Sequence, residues 1–192
     1  MSLFNSICLD KSKMGRIDII MGCMFSGKST ELIRLANQYK VLEKKVLIVN
    51  HSMDTRYSKN AVATHSNQTL DCMAVSKLDF KNTESYNECD VLIIEEAQFF
   101  EGLYEFVLSA CEKDNKDVIV VGLDGDSNRN EFGEILKLIP VCNSVKKLYG
   151  LCIKCKDGTK ACFTKRLVDN SDQVLIGSAE FIPVCRKHYL EC

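Results

Sequence analysis

Residues 16–29 are RIDIIMGCMFSGKS, an apolar run that ends at Met21 and is followed by a glycine-containing turn. The apolar run has the length of a buried strand, and residues 30–41 have the apolar spacing of a helix. Between them, residues 22–29 satisfy the eight-residue pattern of a phosphate-binding loop. A strand, this loop and a helix in that order predict a nucleotide-binding α/β domain.

Each position of this loop has a physical role in phosphate binding. Gly22 and Gly27 let the backbone curl, so that its N–H groups point at phosphate oxygens. The helix that begins near Gly27 adds the positive end of its dipole. Lys28 is placed to reach the β and γ phosphates, and the Ser29 hydroxyl is a ligand for Mg²⁺. We therefore expect ATP to bind here together with Mg²⁺.

Further strands are predicted at residues 46–49, 91–95 and 118–123, and each is a continuous apolar run. Helices are predicted at residues 103–111 and from residue 132 to 138, whereas the polar residues 51–69 predict a loop or hairpin. Strands that are apolar on both faces, with helices between them, are typical of a mostly parallel sheet flanked by helices. The predicted fold is therefore an α/β domain of the phosphate-loop type.

Two adjacent acids, Glu95 and Glu96, end the strand at residues 91–95. In a parallel sheet this end of a strand faces the ligand. One acid at such a position commonly helps to hold Mg²⁺, and a neighbouring acid can act as general base for an acceptor hydroxyl. Together with the phosphate-binding loop, the pair predicts phosphoryl transfer.

Four metal-binding side chains lie in the last part of the chain: Cys152, Cys155, Cys185 and His188. Their Cys-x-x-Cys and Cys-x-x-His spacing suits a closed, tetrahedral and structural Zn²⁺ site. Residues 150–192 are too few to build a hydrophobic core without such a cross-link. We therefore predict a small zinc-binding domain at residues 150–192, after a flexible segment at 1–14 and a phosphate-loop α/β domain at 15–149.

The other cysteines and histidines receive simpler interpretations. The chain has 11 cysteines, an odd number, and no sign of an oxidising compartment, so a disulfide framework is not expected. We expect Cys162 to be a core residue. His51 and His65 have no ligand-spaced partner, so both are interpreted as ordinary loop residues.

Composition excludes several classes of protein. The chain has 25 basic and 26 acidic residues, so a large nucleic-acid surface is not favoured. Its apolar runs, such as residues 118–121, are too short to span a bilayer, and the first residues lack a secretory pattern. A cytoplasmic protein without membrane or nucleic-acid partners is therefore expected. Residues 115–118 do not satisfy the Asn-Lys-x-Asp pattern of guanine binding, which disfavours a small GTPase.

Seven sequence segments together resemble one known family: GCMFSGKSTEL at 22–32, DTRY at 54–57, THS at 64–66, EEAQFF at 95–100, LDGDSNRNEFG at 123–133, FTKRL at 163–167 and VLIGSAEFIPVCRKHY at 174–189. With the zinc pairs, these segments resemble the type II thymidine kinases of the cytosol and of large viruses. The resemblance extends from about Gly15 to Tyr189, which is nearly the whole chain.

The resemblance implies ATP-dependent phosphorylation of thymidine to the 5′-monophosphate in the salvage of DNA precursors. The departures from the family pattern given below add deoxyuridine to the expected substrates. The resemblance also implies that Glu96 is the catalytic base and that Arg56 approaches the phosphates from a lid segment. The implied nucleotide site comprises Gly22, Cys23, Met24, Phe25, Ser26, Gly27, Lys28, Ser29, Thr30, Glu95 and Gln98. The implied nucleoside site comprises Met24, Phe99, Leu123, Phe132, Thr164, Val174, Ile176, Gly177 and Phe181, several of them on a lasso loop at residues 163–181.

Three residues depart from the pattern of the family it resembles. Glu95 stands where an Asp is usual, Ser127 where an aromatic residue is usual, and Phe181 where a Tyr is usual. The resemblance also implies a homotetramer and feedback inhibition by dTTP. Two other classes stay open: a zinc-ribbon ATPase that binds nucleic acid, and a catalytically weakened nucleotide-binding module. The first would need a basic surface, and the second is disfavoured by the intact Lys28, Ser29 and Glu96.

Overall fold

The computed structural model describes residues 14–54, 61–63, 69–168, 173 and 180–191. Its strands are β1 (Ile17–Gly22), β2 (Val46–His51), β3 (Ala61–Ala63), β4 (Thr69–Asp71), β5 (Met73–Val75), β6 (Val91–Glu95), β7 (Asp117–Gly122), β8 (Ser144–Leu148), β9 (Gly150–Leu151), β10 (Lys160–Ala161), β11 (Phe163–Arg166) and β12 (Phe181–Val184). Its α-helices are α1 (Lys28–Val41), α2 (Glu84–Glu88), α3 (Leu103–Leu108) and α4 (Arg186–Leu190).

The central sheet has six strands in the order β5-β2-β6-β7-β1-β8, and every neighbouring pair is parallel. All residues of β6 and β7 are buried, which explains why their sequences are apolar without alternation. The side chains of alternate β6 residues lie on opposite faces of the sheet. Val91 and Ile93 pack with α1, whereas Leu92 and Ile94 pack with α3. The predicted α/β architecture is confirmed.

The strand order brings three chain segments together at the carboxyl ends of the strands, and this end of the sheet is called the sheet edge below. The strands β1, β6 and β7 are adjacent and parallel, so their carboxyl ends lie side by side. These ends carry the phosphate-binding loop, the two glutamates and the segment that begins at Leu123. This edge is therefore where the predicted site residues can meet.

The strand β8 lies at the edge of the sheet beside β1 and was not predicted from the sequence. Its residues SVKKL are mostly exposed and contain no apolar run. Its lysines form ion pairs with neighbouring elements: Lys146 Nζ lies 2.8 Å from Glu31 of α1, and Lys147 Nζ lies 2.6 Å from Asp124. Arg34, with a further contribution from Lys146, lowers the pKa of Glu31 to about 2.

Some predicted elements differ in type or length. The helix predicted from residue 132 is a 3₁₀ helix at Ile135–Val141, which contains Pro140 and so lacks one backbone donor. The helix predicted at residues 103–111 continues beyond α3 as a π turn at Ser109–Lys113. The hairpin expected within residues 51–69 corresponds to the antiparallel pair of β3 and β4. The short elements β5 and α2 were not predicted.

The last part of the described chain forms two short antiparallel pairs, β9 with β10 and β11 with β12, followed by α4. Its apolar cluster contains only four buried residues, Cys152, Ala161, Val184 and Cys185. Such a small core needs a further cross-link for stability. The domain boundary near residue 150 stays a prediction.

Among the described residues, no helix has both the length and the apolar character needed to cross a lipid bilayer.

Candidate active site and metal centre

The phosphate-binding loop has the curled backbone that its glycines predicted. Gly27 has φ 85°, and Phe25 also lies in the left-handed region at φ 62°. A Cβ atom on Gly22 would lie 2.4 Å from the carbonyl oxygen of Leu148, so no other residue fits beside β8. Lys28 Nζ donates to the carbonyl oxygens of Gly22 at 3.1 Å and of Cys23 at 2.9 Å. The ammonium group therefore lies inside the curl of the loop.

Ser29 and Glu95 bring two oxygen ligands together from distant parts of the chain. Ser29 Oγ donates to Glu95 Oε1 at 2.6 Å, which joins the first turn of α1 to the end of β6. Glu95 is only 3% exposed. A hydroxyl and a carboxylate are the ligand types that Mg²⁺ prefers. The Glu side chain, one methylene longer than Asp, reaches the serine directly.

Glu96 adopts a strained backbone conformation where β6 ends. Its φ of 51° and ψ of 40° place a non-glycine residue in the left-handed region, and the 3₁₀ turn Ala97–Phe99 follows it. The side chain is buried, and its Oε2 accepts a hydrogen bond of 2.5 Å from Gln98 Nε2. Such strain costs about 1–3 kcal/mol and is common at functional sites. The turn thus directs Glu96 differently from Glu95.

The described residues of the predicted nucleoside site fall into two groups. Phe99 packs edge-on against Phe132, with ring centroids 5.5 Å apart, and Leu123 N donates to Gln98 Oε1 at 3.0 Å beside them. In the other group, Met24 N donates to Thr164 Oγ1 at 3.0 Å, which joins the phosphate-binding loop to β11. Phe181 is buried on the neighbouring β12, and the Arg166 guanidinium lies 5.4 Å from its ring centroid.

Four predicted site residues lie outside the described residues: Arg56, Val174, Ile176 and Gly177.

A cavity of about 160 Å³ lies between the phosphate-binding loop and β11. Its lining residues are Cys23, Asp124, Gly125, Asp126, Arg129, Lys147, Cys162, Phe163 and Thr164. The Cys23 thiol donates to the carbonyl oxygen of Ala161 at 3.4 Å, and burial raises its pKa although Lys28 acts in the opposite direction. Cys162, predicted to be core, is half-buried and faces this cavity.

The predicted zinc ligands converge: Cys152, Cys155, Cys185 and His188 have ligand atoms that all lie within 4.8 Å of one another. The three sulfur atoms lie 3.5, 3.3 and 3.3 Å from His188 Nδ1, and the Sγ atoms of Cys155 and Cys185 are 3.8 Å apart. Tetrahedral zinc with standard bond lengths would put sulfur and nitrogen about 3.6 Å apart and two sulfurs about 3.8 Å apart. The four side chains therefore fit a structural zinc site.

Residues around this centre connect it to the sheet edge. His188 Nε2 lies 3.6 Å from Glu191 Oε2, and Lys165 Nζ donates to the backbone carbonyl oxygens of His188 and Glu191. Tyr189 Oη donates to the carbonyl oxygen of Ser127 at 2.7 Å. The metal centre and α4 are thus attached both to β11 and to the segment at residues 123–133.

His51 lies beside the candidate site, a position that the sequence interpretation missed. It is the last residue of β2, is 5% exposed, and packs against Phe99 and Phe100 with ring centroids 5.6 and 4.7 Å away. Burial lowers the pKa of His51, while a hydrogen bond with the backbone of Ser76 and the charge of Glu96 act in the opposite direction. The expectation of an ordinary loop residue was wrong for His51, and His65 lies outside the described residues. The position of His51, two residues after the apolar run at residues 46–49, was the sequence signal that could have indicated its burial.

Comparison with known proteins adds an independent finding. A family model described as thymidine kinase matches residues 15–189. Thymidine kinase a from Arabidopsis thaliana is 43% identical over 187 residues, which cover 95% of this chain and 78% of the plant protein. Thymidine kinase from Myxoma virus (strain Uriarra) is 40% identical over 181 residues, which cover 91% of this chain and 96% of the viral protein. Cytosolic thymidine kinase from Gallus gallus is 38% identical over 181 residues, which cover 92% of this chain and 78% of the avian protein.

Proposed function

The chain belongs to the thymidine kinase family, and on this premise we propose that it transfers the γ-phosphoryl group of ATP to the 5′-hydroxyl of thymidine. The products are ADP and thymidine monophosphate. One observation carries the proposal: Lys28, the Ser29–Glu95 pair and Glu96 lie at the same edge of the sheet, within residues that match the family. A phosphoryl transferase needs these functions, which are phosphate binding, metal binding and a base.

The phosphate-binding loop, residues 22–29, holds the triphosphate in this proposal. Its backbone N–H groups, the N-terminus of α1 and the Lys28 ammonium bind the phosphate oxygens and stabilise the charge that spreads over the transferring group. Ser29 and Glu95 would hold Mg²⁺, directly or through water. When bound, this ion neutralises phosphate charge and orients the β and γ phosphates.

Glu96 is the general base. As the 5′-oxygen forms its bond to phosphorus, the hydroxyl proton passes to the Glu96 carboxylate and the bond to the ADP oxygen breaks. Burial of Glu96 supports this role, because water is kept from competing with the acceptor hydroxyl. Arg56 is proposed to approach the phosphates from the segment that follows β2.

The thymine base binds between the two groups of pocket residues. Phe99, Phe132 and Leu123 supply apolar contact on one side, and Met24, Thr164 and Phe181 lie on the side formed by the loop and the β11–β12 hairpin. Val174, Ile176 and Gly177 are proposed to contact the base through backbone groups. Ser127 and Phe181 remove an aromatic ring and a hydroxyl relative to the usual pattern, so we also propose that deoxyuridine is a substrate.

Zinc bound by the four-ligand cluster is structural in this proposal. Such a site leaves no open coordination position for substrate. Its function is to hold α4 and the β11–β12 hairpin, which carries Thr164 and Phe181, against the sheet edge. We further propose a cytoplasmic homotetramer that serves the salvage of DNA precursors and is inhibited by dTTP, as the family resemblance implies.

The test is transfer of label from γ-labelled ATP to a panel of deoxynucleosides by the zinc-containing protein. We expect labelled thymidine monophosphate as the main product, with deoxyuridine as the second substrate and little transfer to purine deoxynucleosides. Absence of transfer to every nucleoside, from protein that is folded and contains zinc, would overturn the proposal. Phosphate release stimulated by single-stranded DNA would then favour the ATPase alternative.

A further inference from the structure

Gln98 uses both ends of its side-chain amide inside the protein. The residue lies in the 3₁₀ turn Ala97–Phe99 and is 3% exposed. Its Oε1 accepts from the backbone N–H of Leu123, 25 positions along the chain, at 3.0 Å. Its Nε2 donates to Glu96 Oε2 at 2.5 Å. The amide thus joins the proposed catalytic base to the start of the segment that forms the nucleoside pocket.

The orientation of the amide follows from its partners. A backbone N–H group can only donate, so the amide oxygen must face Leu123. The amide nitrogen then faces Glu96 and acts as a hydrogen-bond donor to the carboxylate.

The surrounding backbone leaves the side chain of Gln98 little freedom to turn. A Cβ atom on Gly122 would lie 2.6 Å from Gln98 Oε1, so β7 comes directly against the amide. A Cβ atom on Gly133, which has φ 63°, would lie 2.2 Å from the Gln98 carbonyl oxygen and 2.9 Å from its Cα. Glycines at both places allow the close approach that fixes the residue.

We propose that Gln98 is a positioning residue: its amide fixes the direction of the Glu96 carboxylate and links it to the Leu123 end of the nucleoside pocket. In this role it acts through Glu96, whose carboxylate its amide contacts. A carboxylate has further lone pairs that can meet the 5′-hydroxyl while Oε2 is held by the amide. The inference rests on the proposed base role of Glu96.

Two variants separate this role from a merely structural one. Gln98→Met keeps the approximate volume and removes both hydrogen bonds. Gln98→Glu keeps an acceptor for the Leu123 N–H but replaces the donor to Glu96 with a second carboxylate. The steady-state constants for thymidine and ATP are measured for each variant, alone and combined with Glu96→Gln. Thermal unfolding with and without thymidine checks the fold, and if Gln98→Met does not fold, the near-isosteric Gln98→Glu carries the test.

We expect each single variant to lower kcat by about 10–100-fold with KM for thymidine changed less than about 3-fold, as for residues that orient a catalytic group. In the Glu96→Gln background the same changes should alter kcat by less than about 2-fold, because the group through which they act is gone. An equal loss in both backgrounds, or wild-type kcat in Gln98→Glu, would overturn the inference and leave Gln98 as an anchor for Leu123. If the wild type transfers no phosphate, or if Glu96→Gln is fully active, it is the proposed function that fails.

Discussion

Glu96 occupies the left-handed region of backbone conformation at the point where β6 ends, next to Glu95 in the extended strand. Adjacent acids therefore leave the strand in different directions. Glu95 reaches Ser29 of α1, whereas Glu96 contacts Gln98 in the following turn. A backbone strain of about 1–3 kcal/mol is maintained because the surrounding buried contacts hold the turn. This arrangement suits the different chemical roles that we propose for the two residues.

His51 connects the end of β2 to the same turn, and it makes stability depend on pH. Burial is the main cause of its lowered pKa, so between the folded value and the ordinary value of 6.5 the unfolded chain binds more protons than the folded one. Stability contributed by neutral His51 is therefore complete above about pH 6.5 and is lost as pH falls toward the folded pKa. One such group changes the free energy of unfolding by at most about 1.4 kcal/mol per pH unit.

His51→Phe tests this dependence, because it keeps an aromatic ring against Phe99 and Phe100 and removes the titration. Urea unfolding between pH 5.5 and pH 7.5 should show a smaller loss of stability on acidification in the variant than in the wild type. Equal slopes of unfolding free energy against pH in the two proteins would contradict the assignment. A constant offset between the curves would report only the lost hydrogen bonds of the imidazole.

At the scale of elements, the fully buried strands were predicted to within about two residues at each end, because burial on both faces requires a continuous apolar sequence. The edge strand β8 was missed, since an exposed strand has no such requirement. Lys28, Ser29, Glu95 and Glu96 were identified because local motifs specify them. The contacts of Gln98 with Leu123 and of His51 with Phe100 could not be predicted, because they depend on the strand order and a local sequence pattern does not contain it.

Tyr189 of helix α4 donates a hydrogen bond from its Oη to the carbonyl oxygen of Ser127, which lies in the same segment as Leu123 and Phe132. The guanidinium of Arg129 also lies 4.5 Å from the Tyr189 ring centroid, and removal of the hydroxyl leaves this contact in place. We expect Tyr189→Phe to lower stability by about 1 kcal/mol. Looser placement of residues 123–133 should raise KM for thymidine by about 3–10-fold with kcat nearly unchanged.

Steady-state kinetics with thymidine at saturating ATP measures this effect. Tyr149→Phe is the matched control, because Tyr149 is exposed and contacts Lys160 through its ring. The control should keep wild-type constants. A KM for thymidine in Tyr189→Phe equal to that of the control would contradict a coupling between α4 and the pocket.

At the scale of the whole molecule, two parts of different construction meet at the site. Among the described residues, the sheet is stabilised by two apolar clusters, whereas the last part of the chain has a cluster of four buried residues and the metal-ligand set. The first part supplies the phosphate-binding loop and the acids, and the second supplies Thr164 and Phe181. We therefore expect the proposed nucleoside pocket to depend on the stability of the last part of the chain.

Loss of zinc should destabilise the last part of the chain and so weaken the binding of thymidine. Metal analysis of the wild type should give one zinc per chain, and Cys155→Ser should lose it. A structural zinc site contributes several kcal/mol to the free energy of unfolding. We therefore expect the melting temperature of Cys155→Ser to fall by roughly 10 °C and its binding of thymidine to weaken strongly. Cys142→Ser, which changes a half-buried cysteine outside the ligand set, is the control and should keep its zinc. Unchanged zinc content in Cys155→Ser would contradict the ligand assignment.

The central claim is that Glu96 takes the proton from the thymidine 5′-hydroxyl during phosphoryl transfer. Its most direct test is the rate of label transfer from γ-labelled ATP to thymidine by the wild type and by Glu96→Gln, in which the amide keeps the shape of the side chain but is not a base. The account predicts rapid transfer by the wild type and a kcat lower by about 10²–10⁴-fold in the variant, with ATP and thymidine still bound. Equal rates of transfer in the two proteins would contradict it.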